Sequence, residues 1–165
     1  VKEYNDYVAT VKRWLKNYNQ FKITIENLNE EIKACEELQE LDMTAGIAKY
    51  SDMPGGGYSE LNTIESKASQ HEARAEHIES MKQSVQAIER TLRKIDRSLN
   101  GLTGTEASLI TGHYIEKKTW AELGNENFYT EKWARVHGGK AVKKMSAMIF
   151  GPVVAPSQTN FVFAC

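Results

Sequence analysis

The chain has 165 residues, 41% of them hydrophobic and 26% charged, a balance that supports a folded core and excludes a disordered polyelectrolyte. No apolar run reaches the roughly 18 residues that a membrane helix needs, and the opening VKEYNDYVATVKRW is too charged for the apolar region of a signal peptide, so no membrane is expected and the cytoplasm is the expected location. The formal net charge of -1 gives no overall pull toward a polyanion, but residues 101–165 hold seven Lys and Arg against five Asp and Glu, and residues 1–100 fourteen against seventeen.

Tyr4, Tyr7, Val11, Trp14, Tyr18, Phe21, Ile25, Leu28, Ile32 and Cys35 recur at alternating intervals of three and four, which makes a heptad seam. With no Pro or Gly before Gly46, the spacing predicts one helix of about 40 residues, roughly 60 Å long at 1.5 Å per residue. Cys35 lies on that seam as a small core residue, and Cys165 stands at the far end of the chain. The pair predicts neither a disulfide framework nor a metal site.

Ser51-Asp52-Met53-Pro54-Gly55-Gly56-Gly57-Tyr58 breaks the helix, because Pro lacks a donor and glycine has a large ordering cost. No Gly-Lys-Ser/Thr follows these glycines, so they read as a bend rather than a phosphate loop. A second helix, from Ser59 or Asn62, carries a seam of Ile78, Met81, Val85, Ile88, Leu92, Ile95, Leu99 and Leu102, with smaller residues and His71 upstream. Glu89, Arg90, Arg93, Lys94, Asp96 and Arg97 form its solvated face, and Asn100-Gly101 stops it. Residues 1–100 are therefore expected to form a long antiparallel helical hairpin, a coiled-coil-like arm with its bend near 51–58. A heptad seam is satisfied equally by its own hairpin or by another chain, so a homo-oligomer through the arm is an open alternative.

Residues 101–150 read as three short helices. Thr103 or Thr105 caps the first, whose apolar side is Leu109, Ile110, Tyr114 and Ile115. Lys117-Lys118 makes a basic turn, and Thr119 caps a helix holding Trp120, Ala121 and Leu123. A third helix begins at Thr130 and offers Lys132, Arg135, Lys140, Lys143 and Lys144 against Glu131 alone. A short helix, a turn and a basic helix suit presentation to the DNA major groove. Pro152 and Pro156 exclude a continuing helix, so 151–165 is expected to be an irregular tail.

Thr119-Trp120-Ala121-Glu122-Leu123, the turn, Thr130, Arg135, Lys140-Ala141 and Lys143-Lys144-Met145 together resemble region four of bacterial sigma factors. They look closer still to phage transcription regulators of the ArpU and RinA type. The resemblance covers about 45 residues and implies an all-α protein, with the arm followed by a small helix-turn-helix domain. It implies a sequence-specific DNA-binding transcription regulator in a bacterial cell, with double-stranded DNA and RNA polymerase as partners.

By position, Glu131, Lys132 and Val136 would face base edges, and Arg135 and Lys140 would lie near phosphates. Thr119 and Thr130 would donate to the DNA backbone as helix caps, and Lys117, Lys118, Lys143 and Lys144 would add positive charge. Ala134, His137, Ala141 and Met145 would pack inward on Ile110, Tyr114 and Trp120, and Trp133 would stand on the exposed face. Asn127 and Phe128 occupy positions where the family has an apolar residue and Gly, His137 replaces an aliphatic residue, and Gly138-Gly139 is expected to interrupt the third helix.

A structural adapter, or a DNA-packaging protein resembling small terminase subunits, is the other reading of an arm joined to a helix-turn-helix. An enzyme is not expected. His71, His77, His113 and His137 have no nucleophile, paired carboxylates or metal cluster beside them, and Glu72, Glu76 and His77 read as mixed charge on a solvated face. No catalytic, cofactor or metal residues are assigned.

Overall fold

A computed structural model describes the backbone of residues 2–50 and 58–151 and the side chains of 6–42 and 68–151. Almost all of the Gly-rich bend, the tail after Gly151, Cys165, and the side chains of Tyr4 and His71's upstream neighbour Ile64 lie outside the described residues. The fold is all-α, as the periodicity predicts. Its helices are α1 (Lys2–Lys16), α2 (Tyr18–Tyr50), α3 (Tyr58–Asn100), α4 (Gly104–Ile110) continued by a π-helical turn (Thr111–Ile115), α5 (Trp120–Glu126) and α6 (Glu131–Phe150). No described helix is long and apolar enough to cross a membrane.

The single 40-residue helix expected at the start is instead two, meeting at Asn17. The Asn17 N–H is shared between the carbonyls of Arg13 (3.1 Å) and Trp14 (3.2 Å), and this local tightening interrupts the regular ladder. Nor does the chain divide at residue 100. It forms two compact units, one of residues 1–21 with 90–165, here unit 1, and one of residues 22–89, unit 2.

In unit 1, α6 packs against α5, α4 and α1. Val11, Leu15, Ile95, Ile110, Tyr114, Ala141, Val142 and Met145 form the main core, and all but Tyr114 have 0% exposure. Leu15 lies off the expected seam because α1 meets both α6 and the π turn, so it must bury more than one narrow stripe. Phe150 of α6 lies against Tyr7 (ring centroids 4.8 Å) and Trp14 (5.6 Å). The Tyr18 hydroxyl donates to Asp96 at 2.7 Å, which removes Asp96 from the solvated face expected of it.

The π turn has a clear use. Glu116 N–H reaches back to the Thr111 carbonyl (3.0 Å) and Lys118 N–H to that of Gly112 (2.9 Å), while Lys117 ends the helix with a left-handed φ of 65°. Gly112 is thereby pressed on Leu123, where an added Cβ would stand 2.4 Å from Leu123 Cδ2.

In unit 2, Ile32 of α2 packs with Ile78, Met81 and Val85 of α3, flanked by Ile25, Leu28 and Cys35. Ion pairs link Glu36 to Lys82 and Asp42 to Arg74, both at 2.7 Å. As the α2 number rises the α3 number falls, so the helices run antiparallel here. These pairs are exposed and contribute little beyond register. Ile32, Ile78, Met81 and Val85 supply the burial, although each keeps 6 to 7% exposure.

Candidate nucleic-acid interface

Two capping boxes set the helices that carry α6. Thr103 Oγ1 accepts from Glu106 N–H (3.4 Å) and Thr103 N–H donates to the Glu106 carboxylate (3.1 Å). Thr119 repeats this with Glu122, at 3.2 and 2.7 Å. Each box satisfies two donors that a helix start leaves unpaired. Both carboxyls are held below the usual carboxylate range, Glu106 first by the Lys144 ammonium bonded to it and then by Thr103 N–H, and Glu122 by Thr119 N–H.

The turn into α6 closes tightly over the end of α5. Tyr129 N–H donates to the Gly124 carbonyl (2.8 Å) and the Asn127 amide to that of Leu123 (2.8 Å). A Cβ on Gly124 would lie 2.8 Å from Tyr129 O, so this approach requires glycine. Phe128 takes the left-handed conformation, φ 59°, in the position where the resembling family has Gly. That costs about 1–2 kcal/mol for a side chain with Cβ, and the ring, 97% exposed, recovers nothing by packing. Thr130 then caps α6, accepting from Trp133 N–H at 3.2 Å.

Aromatic rings fix the orientation of α6. Trp120 stacks on His113 (3.8 Å) and lies across Gly138, where a Cβ would meet Trp120 Cη2 at 2.3 Å. Gly138 therefore belongs to the packing, and α6 runs unbroken through the Gly138-Gly139 pair, contrary to expectation. The inward stripe is Ala134, Gly138, Ala141, Val142, Met145 and Ser146. His137 sits at its half-buried edge, and Ser146 Oγ is buried without a hydrogen-bond partner.

Trp133 is not on the exposed face. It packs on Leu109, Leu123 and Ala134 and is sandwiched between Tyr129 (3.8 Å) and His137 (3.7 Å). By helical spacing position 133 lies about 100° from Ala134, well away from the centre of the inward stripe, so its cover comes from the flanking rings of Tyr129 and His137 rather than from the stripe's own face.

Opposite the stripe stand Lys132, Val136, Lys140 and Lys143, all exposed and spaced four, four and three apart on one face. Lys132, Lys140 and Lys143 make no ion pair among the described residues, and Arg135 is only loosely held by Glu131 at 3.9 Å. Gly139 shares this outer side, with nothing within 4 Å of where its Cβ would be. The other predicted cations are engaged. Lys144 is bonded to Glu106, Lys118 to Glu126 (3.0 Å) and Glu116 (3.4 Å), and Lys117 Nζ to the Lys16 carbonyl (2.8 Å). Thr119 Oγ1 both accepts from Glu122 N–H and donates to its carboxylate, while Thr130 Oγ1 accepts the cap bond from Trp133 N–H.

Charge is segregated between the units. Unit 1 carries fifteen Lys and Arg against eight Asp and Glu, a net of +7, and unit 2 six against fourteen, a net of -8. Counting from residue 101 hides this, because α1 brings Lys12, Arg13 and Lys16, and the end of α3 brings Lys94 and Arg97, into the same unit as α6. Only the basic run at the end of α3 was visible locally, and nothing in the sequence of α1 assigns it to this unit. Among the described residues no group of His, Cys, Asp and Glu is placed to hold a metal ion. In comparisons with known proteins, no family model, curated protein or solved structure matches the chain.

Proposed function

We propose that unit 1 binds double-stranded DNA through the outer face of α6 and that the protein is a sequence-specific transcription regulator. The observation that carries this reading is the exposed set Lys132, Lys140 and Lys143, without an ion pair among the described residues, on one helix face in a unit of net charge +7. Such a face suits a major groove lined by phosphates. Arg135, Lys140 and Lys143 supply phosphate contacts, and Glu131, Lys132 and Val136 read base edges near the start of the helix. Gly139 costs about 1 kcal/mol of helix stability relative to Ala and fills no packing need, which fits a backbone that a ligand approaches closely. Lys118, Lys144 and Trp133 act in support of the fold. The resemblance to sigma region four extends the reading to promoter-like DNA, to RNA polymerase as a partner and to the bacterial cytoplasm.

Selection of bound fragments from the source genome by the purified chain, with the best fragment then titrated against salt, tests the reading. An enriched motif whose affinity falls steeply with salt is expected. Lys140→Glu should weaken every sequence about equally, and Lys132→Ala should change the preferred base. No enrichment together with no salt-sensitive binding would overturn it.

A further inference from the structure

The end of α3 carries a second cationic face of unit 1. From Arg90 onward this helix belongs to unit 1, where it buries Leu92, Ile95 and Ser98. On its other side Arg90, Lys94 and Arg97 follow at intervals of four and three, so they share one stripe, and Arg93 flanks it. All four are exposed, whereas Glu89 and Asp96, the acids of the same turns, are half-buried. By helical spacing both acids fall about 110–130° round the helix from the centre of the stripe, and Asp96 accepts a hydrogen bond from the Tyr18 hydroxyl at 2.7 Å. Lys94 and Arg97 make no ion pair among the described residues. The cations therefore stand outward while the acids are drawn in.

This face is distinct from that of α6. Ile95 shares its core with Ala141, Val142 and Met145 of α6, and each helix turns its cations away from that core. Because both helices, each about 10–12 Å across, stand between the two faces, a straight duplex seated on α6 does not reach the α3 stripe. We propose that Arg90, Lys94 and Arg97, with Arg93 beside them, form a second, sequence-independent binding face for double-stranded DNA, so that one chain bridges two duplex segments. The α3 contact is independent of the reading of α6; the bridging rests on that reading. Chemistry favours phosphate as the ligand. Three of the four cations are Arg, whose planar fork suits phosphate oxygens. From Arg90 to Arg97 the stripe runs about 10 Å at 1.5 Å per residue, and a duplex carries a negative charge about every 1.7 Å of its axis, so it meets these cations at whatever register it docks. An acidic peptide would need carboxylates at matching positions. Phosphate contacts of this kind supply affinity without sequence preference.

Two measurements on the full chain test the proposal: affinity for a random-sequence duplex against salt, and energy transfer between a donor-labelled and an acceptor-labelled duplex mixed with the protein. Arg90→Gln with Lys94→Gln and Arg97→Gln should lower the slope of log affinity against log salt by about three and abolish the energy transfer, with helix content unchanged. The fragment preference assigned to α6 should survive this triple change. An enriched motif together with a slope indifferent to the triple variant would overturn the proposal and leave α6 in place. No enriched motif, with a slope that still falls in the triple variant, would overturn the α6 reading and retain the α3 face. Energy transfer that survives the triple variant would overturn the bridging. An unchanged slope for DNA, with salt-sensitive binding of polyglutamate lost in the triple variant, would overturn the proposal and assign the face to an acidic protein.

Discussion

Unit 1 and unit 2 are made from similar amphipathic helices, yet they bury them to different depths and carry opposite charge. In unit 1, α6 is surrounded by α1, α4 and α5, and Leu15, Ile95, Leu109, Ile110, Leu123 and Met145 lose essentially all contact with water. In unit 2 the α2–α3 pair leaves every core residue with a few per cent exposure, and large apolar residues such as Leu38 stay half in solvent. The comparison teaches that seam quality in the sequence does not set burial. The α3 seam is as regular around Ile78 as around Ile95, and the number of neighbouring helices makes the difference.

The largest effect that would break this contrast is a deletion in each core. Leu15→Ala should cost about 2–5 kcal/mol, and Ile78→Ala clearly less, because a partly wet site already has water at its edge; equal losses in urea melts would show the two cores to be equivalent. Gly138→Ala comes next, at about 1–3 kcal/mol, since its Cβ must displace the Trp120 ring, and loss of the near-ultraviolet tryptophan signal should accompany it. The charge contrast is sharpened by Lys140→Gln with Lys143→Gln, expected to lower the slope of log affinity for DNA against log salt by about two. Lys82→Gln in unit 2 should leave that slope unchanged.

Gly139→Ala should raise stability by up to about 1 kcal/mol in thermal melts while weakening DNA binding, because its Cβ points into open space. The smallest effect concerns acid. Glu106 and Glu122 have lowered folded values, so the stability they contribute is present above the ordinary Glu value of about 4.3 and is lost as pH falls through the folded values. Glu106→Gln should flatten the melting temperature against pH below about pH 5.

Much of the geometry of the candidate interface was legible residue by residue. The caps at Thr103, Thr119 and Thr130 follow from short-range chemistry, and the exposed set Lys132, Val136, Lys140 and Lys143 from helical spacing. Trp133 was not, because its burial depends on Tyr129 and His137 closing on either side of it. Gly138 looked like a helix breaker because the Trp120 ring that explains it lies eighteen positions away. Phe128 marked itself by standing where a glycine is usual, but its exposure was visible only once the turn was folded.

Capping residues and the apolar periodicity were determined by the sequence itself, since each depends on groups within about a turn of one another. Only the tertiary structure decided that α1 joins α6, that Lys118 and Lys144 are taken up by carboxylates, and that charge separates into a basic and an acidic unit. Those outcomes depend on which distant segments meet, and a helix face of given periodicity accepts any apolar partner that the rest of the chain brings to it.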